Sequence, residues 1–235
     1  FRYLAMMHNY IDVDHWLNKI KEIDCKDERW TVLQRVDIHF AKGILLDSIG
    51  KYDLAFQSFQ LANALYRSQI QYCAKEAQNH LTLIQRVFES RFDKSSALFP
   101  ALEITPIFIV GMIRSGTSLF AEILSSHSYI SSAGETSAFS NSIQRVCQRS
   151  DALLSIRDIT DEQFVAVRNE YQEQVRKETN GTGSWIINKL NHNFLYLGII
   201  RKIFPEAIII HVKRSPKAAG LSIYQRYFAE PQNFA

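Results

Sequence analysis

Residues 107–119 read IFIVGMIRSGTSL. Pro106 leads into Ile107-Phe108-Ile109-Val110, an apolar run with the length and branching of a buried strand. A loop carrying Gly111 and Gly116 follows, and then a helix from about Thr117 to Ser125. Glycines let the backbone curl until successive N–H groups face one concavity, and the helix N-terminus adds its dipole. Such a corner is a cradle for phosphate or a like anion. The glycine spacing is that of a Walker A loop, G-x-x-x-x-G-K-[ST], but Thr117 occupies the lysine position. That lysine serves the β- and γ-phosphates of a nucleoside triphosphate, so its absence argues against ATP hydrolysis and for another phosphorylated ligand. Gly111, Arg114, Ser115, Gly116, Thr117 and Ser118 are the candidate anion-binding residues.

Working outward, Trp185-Ile186-Ile187 and Ile208-Ile209-Ile210-His211-Val212 read as two further buried strands, the latter preceded by a helix over 194–204 and Pro205. Residues 140–180 are polar and helical in pattern. Buried strands alternating with helices predict an α/β fold, a parallel sheet with helices on both faces. Upstream the character differs. No proline precedes Pro100, and apolar residues recur at three and four. Helices are predicted around 6–22, 30–48 and 73–90, with Gly50-Lys51-Tyr52-Asp53 as a turn and a further helix after it carrying Ala55, Phe56, Phe59, Ala62 and Leu65. Gly43, Gly50, Tyr52, Ala55, Phe59 and Ala62 have the spacing of one tetratricopeptide repeat, which places small residues where two helices cross and an aromatic knob in the groove. A generic helix hairpin is the other reading. One repeat cannot bury both faces, so the flanking helices should stack on it. The expected organisation is an all-α, tetratricopeptide-repeat-like domain over 1–95, a linker over 96–104, and the α/β domain over 105–235.

Composition narrows the function classes. Of 235 residues, 46% are hydrophobic and 22% charged, which suits a packed core and excludes a disordered or collagen-like chain. Residues 1–104 hold 13 Lys+Arg against 13 Asp+Glu; residues 105–235 hold 14 against 11 and carry the whole net charge of +3. That surplus is too small to coat nucleic acid but suits one compact anion. Cys25, Cys73 and Cys147 form no CxxC pair, so neither zinc nor a disulfide framework is expected and a reducing compartment is the default. His192 and His211 lack ligand-spaced partners, so no metal is expected. No apolar run is long enough to span a membrane and no signal peptide is evident. Asn180-Gly181-Thr182 matches a glycosylation sequon, read as chance without a secretory signal.

Three more sites bear on chemistry. Lys213-Arg214-Ser215-Pro216 follows the third strand, with Ser222 and Arg226 four apart on the next helix. Arg214, Ser222 and Arg226 offer three donors to a second phosphate. Lys189 ends the second strand, at the sheet edge where ligands of such folds lie. Glu135 follows Gly134, and Thr136 begins a helix; Glu135 is either a general base or a helix cap.

The stretch 107–119, taken with these residues, resembles the 5′-phosphosulfate loop of sulfotransferases. The resemblance is to the bacterial tetratricopeptide-repeat sulfotransferases and, through them, to tyrosylprotein sulfotransferases. It implies a co-substrate, 3′-phosphoadenosine 5′-phosphosulfate (PAPS), and an acceptor hydroxyl on a protein tyrosine, a glycan or a small molecule. It implies that Arg214, Ser222 and Arg226 hold the 3′-phosphate. It also implies that Lys189 and Arg114 serve the reacting sulfuryl group and that Glu135 is the catalytic base. Relatives carry Pro where this chain has Ile113 and Asn191, and Asp where it has Ser215. The alternative is a catalytically degenerate nucleotide-binding scaffold acting through its helical repeat. The implied setting is cytoplasmic, with a protein or peptide docking on the helical domain, and the α/β domain is expected to continue past Ala235.

Overall fold

The computed structural model describes residues 2–7, 11–23, 27, 29–89, 99, 101–148, 159–179 and 184–228. Cys25, the sequon at Asn180 and residues 96–98 and 100 of the expected linker lie outside them. The chain divides into two compact units, residues 1–73 with 216–235, and residues 74–215.

The first unit opens with α1 (Arg2–Met6), α2 (Val13–Lys21), α3 (Val32–Ser48) and α4 (Tyr52–Arg67). Local chemistry sets their starts. The Asp12 carboxylate accepts from the His15 N–H. Thr31 and Gln34 form a reciprocal capping box that satisfies two N–H groups otherwise left open at a helix end. Gly50, at φ +74°, turns the chain from α3 into α4. Any Cβ on Gly43 would fall 2.4 Å from the Phe59 ring, so α3 and α4 approach as closely as they do only because position 43 has no side chain. Val36, Phe40, Ala41, Phe59 and Ala62 form the buried seam, with α1 and α2 contributing Ala5, Leu17 and Ile20.

The second unit begins with α5 (Ala74–Glu89) and continues through β1 (Thr105–Val110), α6 (Thr117–Ser125), β2 (Ile130–Ser132), α7 (Ala138–Cys147), α8 (Asp161–Glu178), β3 (Trp185–Lys189), a 3₁₀ turn (Asn191–Tyr196), α9 (Leu197–Ile203) and β4 (Ile208–His211). The sheet order is β2-β3-β1-β4 and all pairs are parallel. Side chains alternate across it. Ile107, Ile109 and Ile187 pack against Ala121 of α6 on one face. Phe108 and Ile186 pack against Phe139, Phe164, Tyr171 and Phe204 on the other. Phe108 stacks on Tyr171 at 5.7 Å and meets Phe139 edge-on. Burying such a ring contributes about 1.5–3 kcal/mol. Arg168 of α8 is fully buried. Its guanidinium donates to the Ile203 carbonyl at 2.6 Å and to both carboxylate oxygens of Glu206, and it lies over the rings of Phe99 and Phe204.

The last helix, α10 (Pro216–Tyr224), returns to the first unit. Tyr224 and Tyr227 pack on its core. The two compact units meet in the sequence at 73–74 and at 215–216. Helix α5 belongs with the sheet because Phe88 sits against Gly198, where a Cβ would come within 2.1 Å of the ring. The expected helix over 194–204 is a 3₁₀ turn followed by α9, and β2 is a strand that the sequence pattern does not announce. Among the described residues no helix is long and apolar enough to cross a membrane.

Candidate active site

Because β1 lies between β3 and β4, its C-terminal end is flanked by theirs. The register pairs Ile109 with Lys189 and Val110 with His211. The Val212 N–H donates to the Val110 carbonyl and extends the β1–β4 ladder. Three segments thus leave the sheet side by side: the 111–116 loop, the residues after Lys189, and Val212–Arg214.

Gly111 is enclosed. A Cβ there would lie 2.5 Å from the Val212 carbonyl oxygen and 2.9 Å from Ser115 Oγ. The loop then turns, with the Ser115 N–H bonded to the Met112 carbonyl at 3.1 Å. Arg114 (φ +64°) and Gly116 (φ +102°) take left-handed conformations that curl it back toward α6. No side chain caps α6 at Gly116. The first-turn N–H groups have no intrahelical acceptor and face outward with the positive end of the helix dipole. Ser115 Oγ is buried without a hydrogen-bond partner. A buried hydroxyl left this way costs on the order of 1–3 kcal/mol, a cost that an incoming oxyanion can remove.

Lys189 supplies the next group. Its side chain is 6% exposed. The ammonium donates to Ser118 Oγ at 2.9 Å and to the Glu135 carboxylate. Glu135 is brought there by the chain after β2. The Ala133 N–H bonds to the Ile187 carbonyl, and the Lys189 N–H bonds to the Gly134 carbonyl at 3.1 Å. Gly134 turns at φ +67°. As α7 begins, the Thr136 hydroxyl oxygen accepts from the Ala138 N–H at 3.0 Å. Glu135 keeps a side chain 68% exposed beside a nearly buried ammonium, so its carboxylate can meet both solvent and Lys189.

Arg214 donates from Nη1 to the Arg114 carbonyl at 3.0 Å, which holds its guanidinium at the loop. Ser222 and Arg226 stand in the first unit. One expectation there is corrected. Helix α10 stops at Tyr224, and Arg226 follows it with its N–H bonded to the Ile223 carbonyl, so Ser222 and Arg226 do not share a helix face. Among the described residues no group of three or more His, Cys, Asp or Glu could hold a metal ion.

The structure adds an asparagine network beneath the site. Asn193 Nδ2 donates to Asn188 Oδ1 at 2.8 Å, and Asn188 Nδ2 reaches the Tyr171 hydroxyl at 3.4 Å. Burial pushes the Tyr171 hydroxyl pKa far up. The network ties the 3₁₀ turn to β3 next to Lys189. Its signal in the sequence is Asn188 itself, an amide in a buried strand, which demands a partner.

The sequence model of the Sulfotransferase family matches residues 106–234. The chain belongs to that family. The match begins at the strand that feeds the Gly111–Ser118 loop and takes in Glu135, Lys189 and Arg214. A protein of Aquifex aeolicus (strain VF5), described as uncharacterized, is 31% identical over 209 residues, covering 83% of this chain and 26% of that one. The chain thus spans about a quarter of that relative's length. No solved structure matches the chain.

Proposed function

We propose that the chain transfers the sulfuryl group of PAPS to an acceptor hydroxyl. The observation that carries the reading is the meeting of Lys189 with Ser118, on the anion loop, and with Glu135. It puts a cation and a carboxylate at the edge of a loop that lacks the triphosphate lysine. Residues 111–118, with the Ser115 hydroxyl and Arg114, hold the 5′-phosphosulfate. Arg214, Ser222 and Arg226 are the residues proposed for the 3′-phosphate.

In the reaction the acceptor oxygen attacks sulfur while Glu135 accepts the hydroxyl proton. The bond from sulfur to the bridging oxygen breaks, and adenosine 3′,5′-bisphosphate leaves. Negative charge grows on that bridging oxygen, where the Lys189 ammonium stabilises it. The α3–α4 pair is proposed as a single tetratricopeptide repeat on which a protein or peptide acceptor docks. The proposed setting is the cytoplasm; Cys73 and Cys147, present as thiols, suit its reducing conditions.

Calorimetric binding of adenosine 3′,5′-bisphosphate, ADP and ATP tests the reading. The bisphosphate is expected to bind about ten- to a hundredfold more tightly than ADP, the worth of one charge-assisted contact of ~1.5–3 kcal/mol. Equal affinities would remove the 3′-phosphate group of residues. Tighter ATP binding would favour a phosphotransferase.

A further inference from the structure

The first unit contains an anchorage that none of the assignments above uses. Asn63 and Tyr66, one turn apart on α4, both hold main-chain carbonyls of the segment that follows α10. Asn63 Nδ2 donates to the Tyr224 carbonyl at 2.9 Å, and the Tyr66 hydroxyl donates to the Phe228 carbonyl at 2.9 Å. Rings fix the same segment. Tyr224 stacks on Phe56 at 5.4 Å, and Tyr227 meets Tyr66 edge-on at 4.9 Å and Phe40 at 5.7 Å. The Arg2 guanidinium lies 4.5 Å over the Tyr227 ring and pairs with Asp37.

The two anchored carbonyls bracket Arg226. Ser222 stands two residues before the first of them, on the last turn of α10. The Gln225 N–H bonds to the Leu221 carbonyl and the Arg226 N–H to the Ile223 carbonyl, so the helix end and the anchored segment are continuous. A charge or hydroxyl on an otherwise irregular tail selects an anion well only if its backbone is fixed before the ligand arrives. Otherwise ordering it costs affinity.

We propose that Asn63 and Tyr66 of the helical pair are positioning residues for 3′-phosphate recognition, acting through the main chain of 224–228 on Ser222 and Arg226. This rests on the assignment of Ser222 and Arg226 to the 3′-phosphate.

The test is a pair of ligands that differ only in the 3′-phosphate: adenosine 3′,5′-bisphosphate and adenosine 5′-monophosphate. Their dissociation constants are measured by calorimetry on the whole chain and on Tyr66→Phe and Asn63→Ala, with circular dichroism to confirm folding. Tyr66→Phe removes one hydroxyl and keeps the ring, so it retains the packing if Asn63→Ala does not fold. Each variant is expected to weaken bisphosphate binding about three- to tenfold, the worth of one hydrogen bond, and to leave monophosphate binding within twofold. An unchanged ratio of the two constants in a folded variant overturns the positioning role alone. Equal loss for both ligands also overturns it, since a general loosening moves them together. If the unaltered chain binds both ligands equally, the 3′-phosphate assignment falls and the positioning role falls with it.

Discussion

The Lys189 ammonium and the Glu135 carboxylate form an ion pair at the C-terminal edge of the sheet, the lysine nearly buried and the glutamate open to solvent. The pair joins β3 to the turn after β2 through side chains, where the backbone already joins them through Gly134. In the proposed reaction an acceptor hydroxyl that takes up the Glu135 carboxylate would compete with Lys189 for it and leave the ammonium charge for the leaving oxygen.

Lys189→Ala is expected to lower turnover by about 10²–10³ while changing nucleotide affinity little, because the charge it meets develops in the transition state. Single-turnover kinetics with PAPS measure this. Unchanged turnover would take Lys189 out of the reaction.

Glu135→Gln keeps the size of the side chain and removes the base. Turnover is expected to fall by about 10²–10⁴, with unchanged bisphosphate affinity. Stability is expected to fall by about 1–3 kcal/mol, since the nearly buried Lys189 ammonium keeps an amide acceptor but loses its counter-charge. A large loss of stability with normal turnover would reverse the assignment.

Gly111→Ala places a methyl group 2.5 Å from the Val212 carbonyl. Backbone cannot yield as a flexible side chain can, so the expected cost is about 1–3 kcal/mol of stability, with weaker bisphosphate binding. Gly116→Ala meets open space but keeps φ +102°, and costs about 1–2 kcal/mol through strain alone. Denaturant unfolding of the two variants checks the contrast; a neutral Gly111→Ala would show that the loop can shift away from β4.

Arg168 and Glu206 give a pH dependence. Burial pushes the Glu206 carboxyl up, but the hydrogen bonds from Arg168 and from its own backbone N–H, with the arginine charge, outweigh this and hold it below the ordinary glutamate value. The folded value lies below the unfolded one. The stabilisation is therefore fully present above the unfolded value, 4.5, and is lost as pH falls through the folded value. Melting temperatures between pH 7 and 3 should fall more steeply for the unaltered chain than for Glu206→Gln. Arg168→Ala, which leaves the Ile203 carbonyl and Glu206 without their donor, should cost about 3–5 kcal/mol at neutral pH.

The sequence made the phosphate loop legible because glycine spacing and a flanking apolar run are local. Strand β1 and helix α6 follow from residues 105–125 alone. The same holds for α3 and α4, whose close approach is written in Gly43 and Phe59. Strand β2 was not legible. Its three residues, Ile130–Ser132, are only half-buried, so no apolar run marks it, and it exists because β3 offers an open edge. The place of α5 was illegible for a related reason. Its amphipathic face fits a helix stack or a sheet equally well, and Gly198, more than a hundred residues on, decides between them. At the site, Lys189 and Glu135 were both marked as candidates, but their contact depends on a register between β3 and the turn after β2 that only the assembled sheet fixes.

The first unit is made of residues 1–73 and 216–235, with residues 74–215 between them in the sequence. On the ribosome, α1–α4 emerge long before the segment that completes their core. Phe40, Phe56 and Tyr66 must wait for Tyr224 and Tyr227 until the entire sheet-bearing stretch has been synthesised. For all that time the nascent helices present an aromatic groove without its filling, the kind of surface that chaperones recognise and that aggregates when crowded. Closing this unit therefore waits until the sheet-bearing stretch has been made. A chain truncated before Tyr224 would leave the ribosome with its sheet strands made and its first-made core still open.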